Sequence, residues 1–402
     1  MAQLPTRNTP DARGTAPSRR SPGGAARPGA AARITAAARR AWPALAAYAV
    51  ARALGVAVIL ANSPKGLLDV LASRWDSAWY VLIAEEGYPA TCARQGELCR
   101  YAFLPLYPTL IRGAAAVLPL SARAAAWVIA VLASVMAAWG VYAVAERVAG
   151  RRTAVIAVVM WGIVPHAVVQ SMAYTETLFT ALAAWALYAV LTRRWITAAV
   201  LAVFAGLTRP TGVAVVVMVV ACALWELRPG PGREERPVAR LLTAAAVAPL
   251  GWCCWFAWVA LRAGHWDGYL RVQRRWGTTF DGGAYTLRHL AAVFGQRAIS
   301  LDKAVIAATI GASVVLLVVC VLQRRPAPLL VYAVSMLVIT LGTTGYFNSK
   351  ARFLLTDFVL LLPLAAPLAR ARPAIAWTVL AGAALMSSGY GSYLLTVSNH
   401  SP

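Results

Sequence analysis

The chain has 402 residues, 60% of them hydrophobic and only 13% charged, and a mean hydropathy of +0.63. Soluble domains carry about a quarter charged residues, so this composition excludes a soluble globular protein and implies an all-α polytopic membrane protein coated by lipid. The net charge of +23 comes from basic residues set between apolar runs, with no aromatic-basic interleaving and no nucleic-acid motif; it reads as membrane sidedness, and no nucleic-acid partner is expected.

Residues 1–40 hold eight arginines and a single acid, Asp11, among Ala, Pro, Gly and Ser. Such a segment cannot offset its ordering entropy by burial, so it is expected to be a disordered, basic, cytoplasmic tail. The apolar run at 42–61 is too long for a signal-peptide core and is expected to be a retained anchor with its N-terminus inside. Arg52 within it is expected to face another helix or a polar cavity. Further apolar runs at 124–145, 153–170, 174–191, 195–208, 210–227, 241–261, 303–322, 328–345, 353–369 and 374–393 give about eleven transmembrane helices. They form one transmembrane domain over 41–396, with two large outer loops at 62–123 and 262–302. The segment 102–120 contains three prolines and Arg112 and is expected to lie along the membrane or dip into it. With that segment kept from crossing, the inner ends carry 21 basic and five acidic residues, against 16 basic and ten acidic on the outer side. The alternative registration moves most arginine pairs outside and breaks the positive-inside rule. The result is a multi-pass protein of the cell membrane with a cytoplasmic N-terminus.

With this topology the unusual polar residues collect on the outer face. The first outer loop contains RWDSAWYVLIAEEGY, whose helical spacing puts Asp76 and Tyr80 on one side with Trp75 and Trp79 adjacent. Two readings stand side by side: an interfacial aromatic belt with a capping Asp, or a carboxylate at a partly dehydrated mouth with rings to stack on a sugar. Glu176 starts a later helix, where the helix dipole alone favours an acid. Its polar company of His166, Gln170, Ser171, Tyr174 and Thr175 suggests instead a site at membrane depth. Arg209 lies at a joint marked by Pro210 and Gly212, and Arg352 lies near the outer end of a late span beside Lys350. Either can snorkel; as a pair on one face they suit a phosphate. The second outer loop holds HWDGYLRVQRRWG, with Trp266, Asp267 and Arg271, Arg274 and Arg275 as a cap or a groove cover.

The sequence contains no metal-ligand cluster, P-loop or dinucleotide fingerprint, so no metal and no cofactor are expected. Cys92 and Cys99 are the only outward-facing cysteines and are candidates for a disulfide. A transporter or flippase of a lipid-linked sugar remains the alternative; it is expected to show an internal repeat, and none is evident.

RWDSAWYVLIAEEGY at 74–88, FLPLYP at 103–108, AYTETLF at 173–179, LTRPTG at 207–212 and ARFLL at 351–355 resemble, in the same order, the PIG-V family of integral membrane mannosyltransferases. The Ala- and Arg-rich composition suits a bacterial, actinobacterial-type member. The resemblance implies the C-type glycosyltransferase (GT-C) architecture, with helices of the first outer loop against the membrane. It also implies transfer of a hexose, mannose-like, from a polyprenyl-phosphate donor to a glycolipid or glycan acceptor at the outer face, with inversion. Carried over residue by residue, Asp76 and Glu176 are the family's acids and Arg209 its outer arginine. Arg352 follows Ala351, where many relatives have proline. Asp76 is expected to be the base, Arg209 and Arg352 to neutralise phosphate, Glu176 with Tyr174 to position hydroxyls, and Trp75, Trp79, Tyr80 and Trp266 to line the sugar or lipid passage.

Overall fold

A computed structural model describes residues 30–92, 98–229, 237–398 and 401. The chain divides into two units, Met1–Arg40 and Ala41–Pro402, and the helical bundle is the second. The expected disorder over 1–29 lies outside the described residues. Residues 30–40 correct it, because α1 (Ala30–Ala61) begins there. AAARITAAARR is a run of strong helix formers and extends the anchor upstream.

Four short elements follow before the next long helix: α2 (Leu67–Leu71), α3 (Asp76–Glu86), a 3-10 turn at Arg100–Ala102 and α4 (Leu106–Val117). Cys92 and Cys99 are disulfide-bonded across a Cα separation of 5.6 Å. α4 has 12 residues, about 18 Å of helix, too short to cross a bilayer alone. It packs Tyr107 and Ile111 into an aromatic cluster with Tyr80 and Phe103.

The bundle proper comprises α5 (Ala122–Ala149), α6 (Arg151–Gly162), α7 (Glu176–Leu191), α8 (Trp195–Gly206), α9 (Val213–Leu227), α10 (Val238–Val247) and α11 (Leu250–Ala263). Ser121 caps α5 by accepting from the Ala124 N–H at 3.3 Å. Small residues let α5 and α7 approach closely; a Cβ at Gly140 would sit 2.9 Å from the Ala184 Cβ. A second connecting region carries α12 (Gly268–Arg275) and α13 (Ala284–Phe294). It leads to α14 (Leu301–Leu322), α15 (Ala327–Gly342), α16 (Lys350–Leu354), α17 (Leu362–Arg370) and α18 (Pro373–Thr396). Among the described residues the only pairing of strand type is an isolated bridge between Phe280 and Thr343.

The chain is an all-α, multi-pass membrane protein, but the expected eleven spans are not found. Five described helices are long and apolar enough to cross: Thr35–Ala61, Ala122–Ala149, Pro210–Leu227, Val238–Ala263 and Leu301–Leu322. A sixth is possible if Phe347–Leu354 and Phe358–Arg370, bent by 70° against each other, count as one. The difference has a physical cause. α7, α8 and α15 have 16, 12 and 16 residues, about 18–24 Å each, against a hydrocarbon core of about 30 Å. The run at 153–170 breaks after Gly162 into turns and a 3-10 segment at Ala167–Ser171. α18 is long, but its C-terminal stretch, SSGYGSYLLT, is diluted by Ser, Gly and Tyr. Apolar runs buried against other helices need no continuous helix, and hydropathy cannot register the break.

The bend between α16 and α17 is tolerated because neighbouring side chains take up the freed carbonyls. Trp161 Nε1 donates to the Leu355 carbonyl at 3.0 Å, and Tyr332 Oη donates to that of Thr356 at 2.9 Å. Trp161 itself stacks on Tyr48, with ring centroids 5.4 Å apart. The largest buried cluster joins α1, α6, α15 and the segment after the bend, while α16, which carries Arg352, packs through Ala351 and Leu354 against α13, α14 and α15.

Candidate active site

Four charged side chains from four separated stretches of sequence converge. Asp76 begins α3, and Trp75 before it adopts φ 50°, ψ −125°, so the chain enters the helix through a sharp reversal. Glu176 is the first residue of α7. Arg209 sits in extended backbone between α8 and α9 ahead of Pro210. The joint closes tightly, since a Cβ at Gly212 would lie 2.4 Å from the Ala205 carbonyl oxygen. Arg352 is in α16, beyond the turn at Tyr346.

Arg352 bridges the two acids: Nη1 lies 2.9 Å from Asp76 Oδ2 and Nε 3.2 Å from Glu176 Oε1. Arg209 Nη1 lies 2.6 Å from the same Glu176 oxygen and donates to Thr175 Oγ1 at 3.0 Å. Tyr80 Oη is 3.2 Å from that hydroxyl. The Phe353 ring stands between the guanidinium groups, 5.2 Å from Arg209 and 5.1 Å from Arg352, and the Tyr174 ring lies 5.0 Å from Arg352. The formal charges cancel, which is how such a cluster survives burial.

Exposure separates the roles. The Glu176, Arg352 and Arg209 side chains are 1%, 5% and 9% exposed, whereas that of Asp76 is 29% exposed. Asp76 alone offers a carboxylate to an incoming group, and its Oδ1 has no hydrogen-bond partner among the described residues. Charge contacts, more than aligned hydrogen bonds, hold the centre: both Glu176 oxygens and Arg352 Nε and Nη1 are buried without a well-aligned partner among the described residues.

Beside the cluster lies a cavity of about 550 Å³, lined among others by Trp75, Tyr285, Lys303, Tyr346 and Asn348. Burial pushes the Tyr346 phenol up, the Asp76 charge adds to the rise and Arg352 opposes it, so the ring lies within electrostatic reach of both. Lys303, Tyr285, Tyr346 and Asn348 belong to no motif and were not among the expected site residues.

Other expected site residues fall elsewhere. Trp79 stacks on Phe103 at 5.9 Å and meets Trp276 edge-on at 5.3 Å, and Tyr80 meets Phe103 and Tyr107 edge-on. These two pack the first connecting region and do not line the cavity. Burial raises the Tyr80 phenol, which therefore stays neutral while it supports Thr175. Trp266 is 89% exposed, at the turn between α11 and α12, and touches none of the charged cluster. Arg271 and Arg274 pair with Asp267 at 2.6 and 3.0 Å, and Arg275 donates to the Cys92 carbonyl at 2.7 Å. His166 packs edge-on against Tyr390, and Gln170 donates to the Trp161 carbonyl at 2.7 Å. The polar company expected around Glu176 thus divides, Tyr174 and Thr175 serving the arginines and the others serving the core.

Residues 104–271 match the family model described as dolichyl-phosphate-mannose-protein mannosyltransferase, which is less than half of the chain. Several solved structures share the fold. The oligosaccharyltransferase of Archaeoglobus fulgidus, solved with Zn and sulfate, aligns at 17% identity and TM-score 0.50, covering 89% of this chain and 54% of that one. ArnT from Cupriavidus metallidurans bound to undecaprenyl phosphate aligns at 14% identity and TM-score 0.52, covering 88% and 62%. AglB from Archaeoglobus fulgidus, with an inhibitory peptide and a dolichol-phosphate, aligns at 16% identity and TM-score 0.51, covering 89% and 56%. The chain shares the fold of these solved structures. The chain spans a little over half the length of these structures, and at such identities the likeness is one of fold. No curated protein matches the sequence.

Proposed function

We propose that this chain transfers a hexose, mannose in the first instance, from a polyprenyl-phosphate donor to a glycan or glycolipid acceptor, as a PIG-V-like member of the GT-C enzymes. The observation that carries the reading is Asp76: one oxygen lies against Arg352, the other has no partner among the described residues, and the neighbouring Trp75 lines a sugar-sized cavity. The match of residues 104–271 to a mannosyltransferase family supports the sugar, and a solved relative bound to undecaprenyl phosphate supports the lipid.

In the proposed reaction the acceptor oxygen forms the new bond to the anomeric carbon and gives its proton to Asp76 Oδ1. The bond from that carbon to the phosphate oxygen breaks, and polyprenyl phosphate leaves with the electron pair. Attack from the opposite face inverts the centre. Arg352 orients Asp76 through Oδ2 for that proton transfer. Glu176 is a positioning residue, because it is buried behind Arg352 and Arg209 and reaches substrate only through them. Arg209 holds Glu176 from the other side. Residues 41–396 act as one catalytic domain, with the N-terminus cytoplasmic and the site on the outer face, as the arginine distribution favours.

The test is incubation of the purified chain, and its Asp76→Asn variant, with a panel of labelled polyprenyl-phosphate sugars and membrane extract. Label should pass from one donor into an extractable product with wild type and not with the variant. Movement of intact donor across a vesicle membrane, with no new glycoside, would favour the flippase alternative and overturn the transferase.

A further inference from the structure

The sequence assigns the phosphate to Arg209 and Arg352, yet both guanidinium groups are buried and faced by carboxylates. The cavity lined by Trp75 has a cation of its own. Lys303 lines it, is half-buried and makes no ion pair with any described residue. No Asp or Glu is among the lining residues. Lys303 stands in the first turn of the 22-residue α14, so the positive end of that helix adds to its field. The adjacent Asp302 does not line the cavity and its charge acts on His166 and Tyr390. The other lysine nearby is spent, because Lys350 Nζ donates to the Thr340 and Thr343 carbonyls at 2.7 Å each.

The remaining walls suit a sugar ring. Trp75 and Tyr346 both line the cavity, and both hold positive φ, 50° and 47°. For large side chains this is a strained conformation, and it persists only where the surroundings impose it. Here they do. Arg74 lies over the Trp75 ring at 4.2 Å and donates to the Leu395 carbonyl at 2.8 Å. The residues before Tyr346 are clamped to 277–281: the Thr344 N–H donates to the Thr279 carbonyl, and the Thr279 N–H to Thr344 Oγ1, each at 2.7 Å. The side-chain amides of Asn348 and Gln296 line the same space and make no hydrogen bond to described residues. His289, held at the Tyr285 carbonyl, and the apolar Ala292, Val293 and Phe347 complete the lining. Aromatic walls, free amides and a lysine with no lining acid fit an anionic ligand with hydroxyl groups, and a prenyl chain would leave Lys303 and the amides unsatisfied.

We propose that this cavity binds a phosphorylated sugar, with Lys303 as the phosphate's cation and Trp75 and Tyr346 as walls for the ring. The inference rests on the glycosyltransferase reading and deepens it, and the phosphosugar is either the donor headgroup or a phosphorylated acceptor.

The experiment uses the full chain in lipid nanodiscs and titrates mannose 1-phosphate, with methyl α-mannoside and inorganic phosphate as controls, alongside Lys303→Gln and Asn348→Ala. Mannose 1-phosphate should bind more tightly than either control. Lys303→Gln should weaken it roughly tenfold or more, the effect of losing a charge-assisted contact, and Asn348→Ala by less, with unchanged melting temperatures. Steady-state transfer then separates the sources: a raised donor KM in Lys303→Gln assigns the donor headgroup, and a raised acceptor KM with the donor KM unchanged assigns a phosphorylated acceptor. Wild-type affinity in both folded variants, or no binding of mannose 1-phosphate while wild-type transfer proceeds, overturns the pocket and leaves the glycosyltransferase reading standing. Lys303-dependent binding with no transfer from any polyprenyl-phosphate sugar keeps the pocket and removes the enzyme.

Discussion

Arg352 stands between Asp76 and Glu176, 2.9 Å from the first and 3.2 Å from the second. One planar side chain thus links a half-exposed carboxylate to a fully buried one, and the two acids separate into one that meets ligand and one that holds the arginine.

That separation predicts opposite activity and stability effects. Asp76→Asn keeps the shape and removes the basicity of Oδ1, so the transfer rate should fall about 100-fold or more. Arg352 keeps its contact with Glu176, so the melting temperature should fall less than in Glu176→Gln. Initial rates and thermal unfolding on the same preparation check both; a near-normal rate reduces Asp76 to a helix-capping acid.

Glu176→Gln should do the reverse in stability. It leaves Arg209 and Arg352 buried without their shared counter-charge, a change that costs about 3–5 kcal/mol where it has been measured. Arg209→Lys keeps the charge but loses the planar group that reaches both Glu176 and Thr175. A double-mutant cycle between positions 176 and 209, read by thermal unfolding, should give a coupling well above that between 69 and 123. The Arg123–Asp69 pair is 3.3 Å apart and more than half exposed on both sides. Equal couplings would mean that the buried network contributes nothing special.

Asp357 makes a third case. It is 2% exposed at the bend between α16 and α17, and neither carboxylate oxygen has a hydrogen-bond partner among the described residues. An isolated buried acid is costly, so Asp357→Asn is expected to hold or raise the unfolding temperature and to leave transfer unchanged. A clear fall in either would show that the carboxylate has a partner or a task in the working protein.

Sidedness is tested separately. Reporters fused after residue 236 and near residue 281 should read cytoplasmic and outside respectively, as the positive-inside pattern requires. The reverse at both positions would move the site to the inner face.

Asp76, Glu176, Arg209 and Arg352 were legible in the sequence because each is an ionisable or helix-terminal polar residue standing out against apolar surroundings, where such groups are rare and need partners. The membrane class was legible for the same reason, as composition integrates over the whole chain. The span count was not. Whether 153–170 or 353–369 is one helix or a broken one depends on which side chains, here Trp161 and Tyr332, are at hand to take the freed carbonyls. Trp79 and Tyr80 share the motif of Trp75, yet the reversal at Trp75 sends them into the packing with Phe103 while Trp75 faces the cavity. Lys303, Tyr346 and Asn348 carry no local signal, because a lysine or an amide at the end of an apolar run is ordinary until other helices close around it. Local chemistry determined which residues had to find partners; only the tertiary packing of α3, α7, α14 and α16 decided which partners they found, because charges and rings distant along the chain meet only when those helices do.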